Sequence, residues 1–305
     1  GIYLLDIASG QTRRITDEGS EPHFGATGDR VYFSKYAGNK LALVSTDLNG
    51  EAERTHASGE LVSGYAVAPD GKMLAFRQNY AAFVMPFMAG AVDLGAGKGG
   101  GALPAVQVSE GGATFLQWSH GGRQLNWSLG PEVYSADASR AIASGPVSKT
   151  DARFAPPKTG VAINVSAPAD KPSGTVAFTN ARIVTMADDK GGIIERGTVV
   201  VRDNRIVAVG ANVAVPAGAQ TVDVAGKTII PGLVDAHAHG PQGSDDLVPQ
   251  QNWSAVAHLA MGVTTIHDPS NSAAEIFPAA SYQRVGKYLA PRIFSTGEVV
   301  YGAKA

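Results

Sequence analysis

Apolar and polar positions alternate with a period of two over most of the first 140 residues. The segments 28–33 (GDRVYF), 70–76 (DGKMLAF) and 121–127 (GGRQLNW) share one pattern: a tight turn, a basic or polar residue, then an alternating apolar strand. Four short strands per unit and a repeat of roughly 40–50 residues are typical of a β-propeller. We therefore predict a partial β-propeller of about three blades over residues 1–140, with an ordinary antiparallel sandwich as the alternative.

The repeated units resemble the propeller repeats of the Tol-Pal-system propeller protein (PD40/WD40-like) and of prolyl-oligopeptidase-type enzymes. In those repeats a Pro-Asp-Gly turn recurs, and Pro69-Asp70-Gly71 is a clean copy of it. The turns at 28–29 and 121–122 depart from that pattern. The resemblance therefore concerns architecture and says little about ligands.

Two further features of this region are predicted to be surface loops. The glycine-rich stretch 95–101 lacks the Gly-Lys-Ser/Thr of a phosphate-binding loop and does not stand between a strand and a helix. His23, His56 and His120 lie in or beside predicted turns. We expect these three histidines to be solvated loop side chains.

The pattern changes twice after residue 140. Prolines among Ala, Ser, Gly and Lys predict an extended linker over 141–174, with 161–165 adding one strand to a sheet edge. Short β-rich runs over 175–228, two of them joined by an Asp203-Asn204 turn, predict a small β-sandwich. Strands and helices then alternate over 229–305, which predicts a parallel α/β arrangement with buried strands.

The helices of this last region carry their own boundary signals. The run 254–261 is predicted to end at Gly262 as its C′ residue. Ser272 and Glu275 have the spacing of a capping box at the start of the next helix. Pro278 is predicted to interrupt that second helical run.

Composition removes several classes of function. A length of 305 residues suits more than one domain, and a net charge of −2 gives no reason to expect nucleic acid or an acidic membrane surface. The sequence has no apolar run long enough to predict a transmembrane helix. The absence of cysteine excludes disulfides, thiolate zinc sites and cysteine nucleophiles. The chain starts at Gly1 inside an apolar run, so we expect an internal piece of a longer protein.

The candidate chemistry lies in the stretch 228–240 (TIIPGLVDAHAHG), an apolar run that ends in two histidines one residue apart. Residues i and i+2 of a strand share a face, so His237 and His239 are predicted to aim their imidazoles at one point where the strand stops. Neutral imidazole is the commonest protein ligand for zinc. Asp235 precedes them on the same face, as a supporting carboxylate or a weaker ligand. His267 and Asp268 end the next strand; they either line the same mouth or are merely polar loop residues.

This stretch, together with 180–184 (NARIV), 262–265 (GVTT) and 290–292 (APR), resembles the opening third of an amidohydrolase-superfamily enzyme. The similarity is to imidazolonepropionase-like and prolidase-like members. It implies a small β-sandwich leading into a (β/α)₈ TIM barrel whose first strand carries the His-x-His pair. By this resemblance His237 and His239 are ligands of a catalytic divalent metal, most often zinc, as one or two ions.

The resemblance also implies what residues 1–305 lack. The family's bridging carboxylated lysine, two further histidines and an aspartate come from later strands, and they have no counterpart here. A whole barrel needs about 250 residues. We therefore expect a truncated TIM barrel with strands 1–3 over 229–305, a general base outside this chain, and an isolated fragment without activity.

The resulting functional prediction is a metal-dependent amidohydrolase. It would hydrolyse a C–N bond of an amide, cyclic amide or dipeptide through a metal-activated water. The expected partner is a small-molecule or dipeptide substrate, with no nucleic acid and no membrane span, and oligomer formation is left open. A propeller fused to such a barrel is typical of periplasmic or secreted hydrolases. The alternatives are a propeller-based peptide- or protein-binding module with a non-catalytic barrel remnant, and a metal-free lyase or isomerase, against which the histidine pair argues.

Overall fold

The computed structural model describes residues 1–96, 104–143, 154–244 and 247–299. The chain divides into two compact units, Gly1–Val165 and Ser166–Ala305. Most of the glycine-rich stretch 95–101 and part of the predicted linker lie outside the described residues. In the part of the chain that is described, no helix combines the length and apolarity needed to cross a membrane.

The first unit is almost entirely β-structure. Its strands are β1 (Ile2–Leu5), β2 (Thr12–Thr16), β3 (Ser20–Phe24), β4 (Arg30–Ala37), β5 (Lys40–Asp47), β6 (Arg54–Gly59), β7 (Val62–Val67), β8 (Met73–Gln78), β9 (Ala81–Pro86), β10 (Val92–Asp93), β11 (Val106–Gln107), β12 (Thr114–Ser119), β13 (Gln124–Leu129), β14 (Glu132–Asp137) and β15 (Val161–Ala162). One short helix, α1 (Ala138–Ala143), follows β14.

Three antiparallel meanders follow one another along this unit. Their strand orders are β10-β6-β5-β4-β3, β11-β9-β8-β7 and β12-β13-β14-β15, and β1 pairs with β2 as a separate ribbon. All pairs are antiparallel except that of β10 with β6. The repeat read from the sequence thus corresponds to consecutive sheets. Their interpretation as propeller blades stays a prediction.

Consecutive sheets of the first unit share apolar cores. On β8 the alternation of side chains sends Leu74 and Phe76 into a cluster with residues of the first and second sheets. Ala75, between them, joins the cluster that packs the second sheet against Leu125 and Trp127 of the third. Because both faces of β8 are buried, its sequence is an apolar run and not a strict alternation.

The predicted linker begins later than its composition suggests. Phe154 is buried in the core of the first unit, and β15 pairs with β14 at the sheet edge. Burial of this aromatic ring ties residues 154–165 to the first unit. Farther along, the backbone N–H of Asp170 donates to Val285 O, and its carboxylate accepts from Lys287 Nζ, both within the second unit. The edge strand predicted within 161–165 is confirmed as β15, and residues 163–174 contain no helix or strand, as predicted for an extended connection. The linker prediction is wrong at its start, because α1 extends to Ala143.

The second unit contains two sheets. The first holds β16 (Thr175–Val184), β17 (Ile193–Arg202), β18 (Arg205–Gly210), β19 (Gln220–Asp223) and β20 (Thr228–Ile229), in the order β18-β17-β16-β19 with β20 also on β16. The turn between β17 and β18 is Asp203-Asn204, as predicted, with Asp203 at φ 56°. All these strands lie in one sheet, so the second layer of a sandwich stays a prediction.

The other sheet of this unit is parallel, with strands β21 (Leu233–Asp235), β22 (Val263–Asp268) and β23 (Arg292–Ser295) in that order. Helices α2 (Trp253–Ala260) and α3 (Ala273–Arg284) connect them. Ile266 and Ile293 lie side by side in the register and face an apolar cluster from the helices. The predicted order strand, helix, strand, helix, strand is confirmed.

The helix ends test the local signals. Gly262, at φ 85°, follows α2 and donates to Leu259 O, as predicted for a C′ glycine. Two predictions for α3 are wrong. Ser272 makes no side-chain capping bond, and the helix runs through Pro278 to Arg284. Ile276, Ala279 and Ala280 are buried on both sides of the proline, and this packing offsets the one backbone hydrogen bond that Pro278 cannot donate.

Candidate metal centre

The two histidines stand immediately beyond the end of β21. The strand ends at Asp235, and the chain turns at Ala236 and His237 before His239. The Nε2 atoms of His237 and His239 are 3.0 Å apart, and their ring centroids are 4.9 Å apart at an interplanar angle of 73°. The structure therefore brings the predicted pair together. A turn after the strand produces the convergence, where the sequence predicted the pleat of the strand itself.

A close approach of β21 to β22 precedes this turn. A Cβ built on Gly232 would lie 2.0 Å from Thr264 Oγ1 and 2.7 Å from Thr264 Cβ. Only glycine leaves this space, which explains why the Pro-Gly pair introduces the strand. Leu233 N then donates to Gly262 O at 2.9 Å. These contacts fix where β21 starts against β22, and the histidine turn follows three residues later.

The geometry of the pair fits two nitrogen donors to one ion. With zinc–nitrogen distances of about 2.0–2.1 Å and tetrahedral angles, two ligand nitrogens lie about 3.3 Å apart. The observed 3.0 Å is close to that value. Both residues are exposed, so the meeting point of the rings is open to solvent. Among the described residues, no three or more His, Cys, Asp or Glu side chains cluster closely enough to hold a metal.

Asp268 faces this pair from the end of β22. Its side chain is 1% exposed, and its Oδ1 lies 3.3 Å from His239 Nδ1. The carboxylate also accepts from Ser270 N at 3.0 Å and from Asn271 Nδ2 at 2.8 Å. Asn271 Nδ2 makes a further contact of 2.9 Å with Gly240 O, directly after His239. Asp268 is thus part of the histidine site and not a free loop residue.

Asp235 and His267 contact the turn and not the converging nitrogens. Asp235 Oδ1 accepts from the backbone N–H of His237 at 3.1 Å. His267 Nδ1 lies 3.3 Å from Ala236 O, and its own carbonyl accepts from Ala238 N at 3.0 Å. These contacts hold the backbone between the two histidines. Neither side chain supplies a third donor at the point where the Nε2 atoms meet.

The segment after the pair is held by an asparagine that the sequence analysis did not single out. Asn252 caps α2, its Oδ1 accepting from Ser254 N at 2.9 Å, while its Nδ2 donates to Pro241 O at 2.7 Å. An Asn one residue before a helix is a strong capping signal that could have revealed it. Asn271 carries no such local signal, because its partners are distant in sequence.

A small cavity lies behind His239, between α2 and the parallel sheet. It encloses about 10 Å³, which is room for about one water. His239, Gln242, Ser254, His258 and Asp268 line it. Gln242 Oε1 is buried and has no hydrogen-bond partner among the described residues, whereas His258 Nδ1 donates to Ser254 O one helical turn earlier. The cavity is too small for a substrate, and the residues that line it pack α2 against the parallel sheet.

The histidines of the first unit have a different environment from the one predicted. His23 lies on β3 and His56 on β6, both partly buried, with ring centroids 5.8 and 5.1 Å from that of Tyr32. Burial lowers the pKa of His23, and burial with the nearby Arg30 and Arg54 lowers the pKa of His56 to about 4. Their prediction as solvated loop side chains is wrong. His120 is exposed in a short turn, as predicted.

Comparison with known proteins gives partial matches. No family model matches the chain. The imidazolonepropionase of Mesorhizobium japonicum is 45% identical over 73 residues, 22% of this chain and 18% of that protein. That of Rhizobium meliloti is 29% identical over 144 residues, 43% of this chain and 34% of that protein. A solved structure of a putative prolidase from Bifidobacterium longum has a TM-score of 0.37 and 28% identity, over 44% of this chain and 32% of that one.

The two imidazolonepropionase matches support a relationship of the chain to the amidohydrolase superfamily. The chain spans only 18% of the length of the first curated relatives it matches. The enzymatic activity in the relatives' names is therefore stated of those proteins and not of this chain.

Proposed function

We propose that this chain carries the first metal-binding strand of an amidohydrolase-type enzyme that cleaves a C–N bond. The observation that carries the proposal is the 3.0 Å approach of two exposed imidazole nitrogens, those of His237 and His239. They stand at the carboxyl end of a parallel strand, the end at which barrel enzymes keep their active sites. The relationship to imidazolonepropionases supports the reaction class, hydrolysis of an amide, cyclic amide or dipeptide.

His237 and His239 would hold a divalent ion, most suitably zinc, through their Nε2 atoms. Such an ion supplies Lewis acidity, which polarises a substrate carbonyl and lowers the pKa of water. The chain's own residues bring the two Nε2 atoms to one solvent-exposed point. The described residues bring no third ligand of this kind to that point. A periplasmic or secreted location is part of the same proposal.

The second candidate is a binding module with a barrel remnant that performs no chemistry. One observation favours it: the described residues bring only two donors together, whereas catalytic zinc normally has three protein ligands. The two candidates differ in whether the histidine pair binds metal at all. Metal binding therefore separates them before any substrate is known.

The test is zinc titration of the whole chain in competition with a chromophoric chelator. Three proteins are compared: the unaltered chain, the double variant His237→Ala/His239→Ala, and His120→Asn as a control that removes an exposed imidazole from the other unit. We expect zinc binding in the first and third proteins and its loss in the double variant. Equal zinc binding in all three would refute the site. No binding in any of them would favour the binding module.

A further inference from the structure

A buried carboxylate lies directly behind the exposed histidine pair. Asp268 is 1% exposed, and an ionised carboxylate in such a position must be compensated by hydrogen bonds. Two of its contacts come from its own loop, Ser270 N at 3.0 Å and Asn271 Nδ2 at 2.8 Å. The third is His239 Nδ1 at 3.3 Å. The carboxylate is thus held by its loop with one oxygen turned toward the imidazole.

We propose that Asp268 is a positioning residue that keeps the proton of His239 on Nδ1 and so reserves the Nε2 lone pair for the metal. The inference rests on the proposed function and adds a residue to it. An ionised carboxylate only accepts hydrogen bonds, so Asp268 Oδ1, 3.3 Å from His239 Nδ1, favours a proton on that nitrogen. With the proton on Nδ1, Nε2 carries a lone pair and is the acceptor in its 3.0 Å contact with His237 Nε2, the position that a metal would take. A carboxylate behind a ligating histidine both orients the ring and raises its basicity.

The same loop also fixes the backbone that carries His239. Asn271 Nδ2 contacts Asp268 Oδ2 and, at 2.9 Å, Gly240 O. The ring is therefore held by Asp268 and the following peptide by Asn271. Ala238 N donates to His267 O at 3.0 Å, which ties the preceding peptide to β22 as well. The end of β22 thus sets the position of His239 from both sides and from behind.

His237 lacks an equivalent arrangement among the described residues. The carboxylate nearest to it in sequence, Asp235, accepts from its backbone N–H and not from its ring. The contrast predicts one fixed ligand, His239, and one adaptable ligand, His237. Asp203, at the turn between β17 and β18, offers a control: an exposed carboxylate of the same unit that accepts from the backbone N–H of Gly174 at 3.1 Å and has no contact with the pair.

The experiment has a readout that requires neither metal nor activity. Imidazole ¹⁵N chemical shifts of the metal-free chain report which nitrogen of His239 carries the proton. We expect the Nδ1–H form in the unaltered chain and in Asp203→Asn, and a shift toward Nε2–H in Asp268→Asn. An amide at position 268 places N–H donors against Ser270 N, Asn271 Nδ2 or His239 Nδ1, so it cannot satisfy all three. Zinc affinity should fall about 10–100-fold in Asp268→Asn and stay within about threefold in Asp203→Asn.

The outcomes separate this inference from the proposed function. One outcome would refute the role of Asp268 and leave the proposed metal site intact: zinc binding is lost in His237→Ala/His239→Ala, while Asp268→Asn keeps both the His239 tautomer and the zinc affinity of the unaltered chain. If the unaltered chain binds no zinc, the tautomer of His239 still decides the positioning role. Asn271→Ala keeps the Asp268 carboxylate. We therefore expect His239 to retain its Nδ1–H form in this variant and zinc affinity to fall less than in Asp268→Asn. Should Asp268→Asn fail to fold, an Nε2–H tautomer in the unaltered chain would overturn the proposal.

Discussion

Each unit of the chain holds two histidines that the fold groups, around the ring of Tyr32 in the first unit and on one turn in the second, and the two pairs use their ring nitrogens in opposite ways. In the first unit, His23 Nδ1 donates to Glu21 O and its Nε2 accepts from Val67 N, both at 3.1 Å. This joins β3 of one sheet to β7 of the next. His56 Nε2 lies 2.8 Å from the buried Ser45 hydroxyl. These nitrogens are occupied within the fold.

In the second unit, the Nε2 atoms of His237 and His239 face each other on an exposed turn. The contrast teaches that residue type and proximity do not identify a binding site. The first pair is surrounded by Tyr32 and Phe87, with His56 and Phe87 ring centroids 5.3 Å apart. There, desolvation favours the neutral ring and structural hydrogen bonds occupy it. The proposed binding pair is distinguished by exposed nitrogens that contact each other, and not the backbone or a buried side chain.

The largest effect that tests this contrast is expected from His23→Ala. The change removes an aromatic ring from packing and leaves the N–H of the buried Val67 without its acceptor, at a combined cost of about 3 kcal/mol in the free energy of unfolding of the first unit. Urea unfolding followed by tryptophan fluorescence measures it. A Trp253→Phe background restricts the signal to Trp118 and Trp127, which lie in the first unit.

The matched variant is His237→Ala, with the stability of the second unit followed by amide hydrogen exchange of β22. Because His237 is exposed and its Nε2 contacts another exposed ring, we expect a change in the unfolding free energy of the second unit of no more than about 0.5 kcal/mol. Zinc binding should respond in the reverse order, lost in His237→Ala and retained in His23→Ala. Similar losses of stability in both variants would contradict the division into structural and binding pairs.

The next effect concerns how the second unit positions its pair. Gly232→Ala places a methyl group 2.7 Å from Thr264 Cβ, an atom that no side-chain rotation can move away. We expect a loss of about 2 kcal/mol in the stability of the parallel sheet and weaker zinc binding, because β21 must shift. Amide hydrogen exchange of β22 measures the first effect and chelator competition the second.

Two comparisons sharpen the Gly232 prediction. In the first unit, a Cβ on Gly111 would meet Leu129 Cδ2 at an ordinary 3.6 Å, so Gly111→Ala should leave exchange rates unchanged. Thr264→Gly combined with Gly232→Ala should restore zinc binding, since it removes the clashing atoms. If Gly232→Ala alone were silent, the close approach of the strands would not be what fixes the histidine turn.

What the sequence predicted correctly is local. The histidine pair, the strand-helix alternation of the second unit and the glycine that ends α2 are each set by a few neighbouring residues. Period-two alternation fails where both faces of a strand are buried, as on β8, yet the turns around it still marked the strand. Local signals were thus sufficient for the elements and for the approach of His237 to His239, whose role as ligands stays a prediction.

What the sequence did not predict depends on contacts between distant residues. His23 reads as a turn residue because its partner, Val67, belongs to another sheet. Phe154 reads as linker because its burial depends on strands far back in the chain. The network of Asp268, Asn271 and Gly240 joins two strand ends, and no spacing rule relates residues across that gap. Tertiary packing decides each of these cases.

A smaller effect is expected from pH. The pKa of His56 in the folded chain is about 4, below the ordinary value of 6.5, because of burial and the nearby Arg30 and Arg54. The unfolded chain therefore binds protons that the folded chain does not as the pH falls from 6.5 toward 4. Stability of the first unit is fully present above pH 6.5 and decreases through that window. After allowance for solvent screening, His56 accounts for about 1 kcal/mol between pH 7 and pH 5.

Urea midpoints at pH 7, 6 and 5 in the Trp253→Phe background test this prediction. The comparison with His56→Asn isolates the contribution of one ring from that of the carboxylates, which titrate in both proteins. The decrease in midpoint should be shallower in the variant. Parallel pH profiles would show that His56 is solvated when the chain is folded, as the sequence had predicted.

The smallest effect is expected from His120→Asn. His120 is exposed, and its Nδ1 contacts only the neighbouring Ser119 hydroxyl, at 3.1 Å. Its φ of 51° lies in the left-handed region, which Asn adopts more readily than Ala does. We expect a change in unfolding free energy within about 0.5 kcal/mol and unaltered zinc affinity. If zinc affinity fell in His120→Asn, exposure alone would make a histidine a ligand. If zinc affinity did not change, the approach of a second histidine nitrogen would distinguish His237 and His239 from His120.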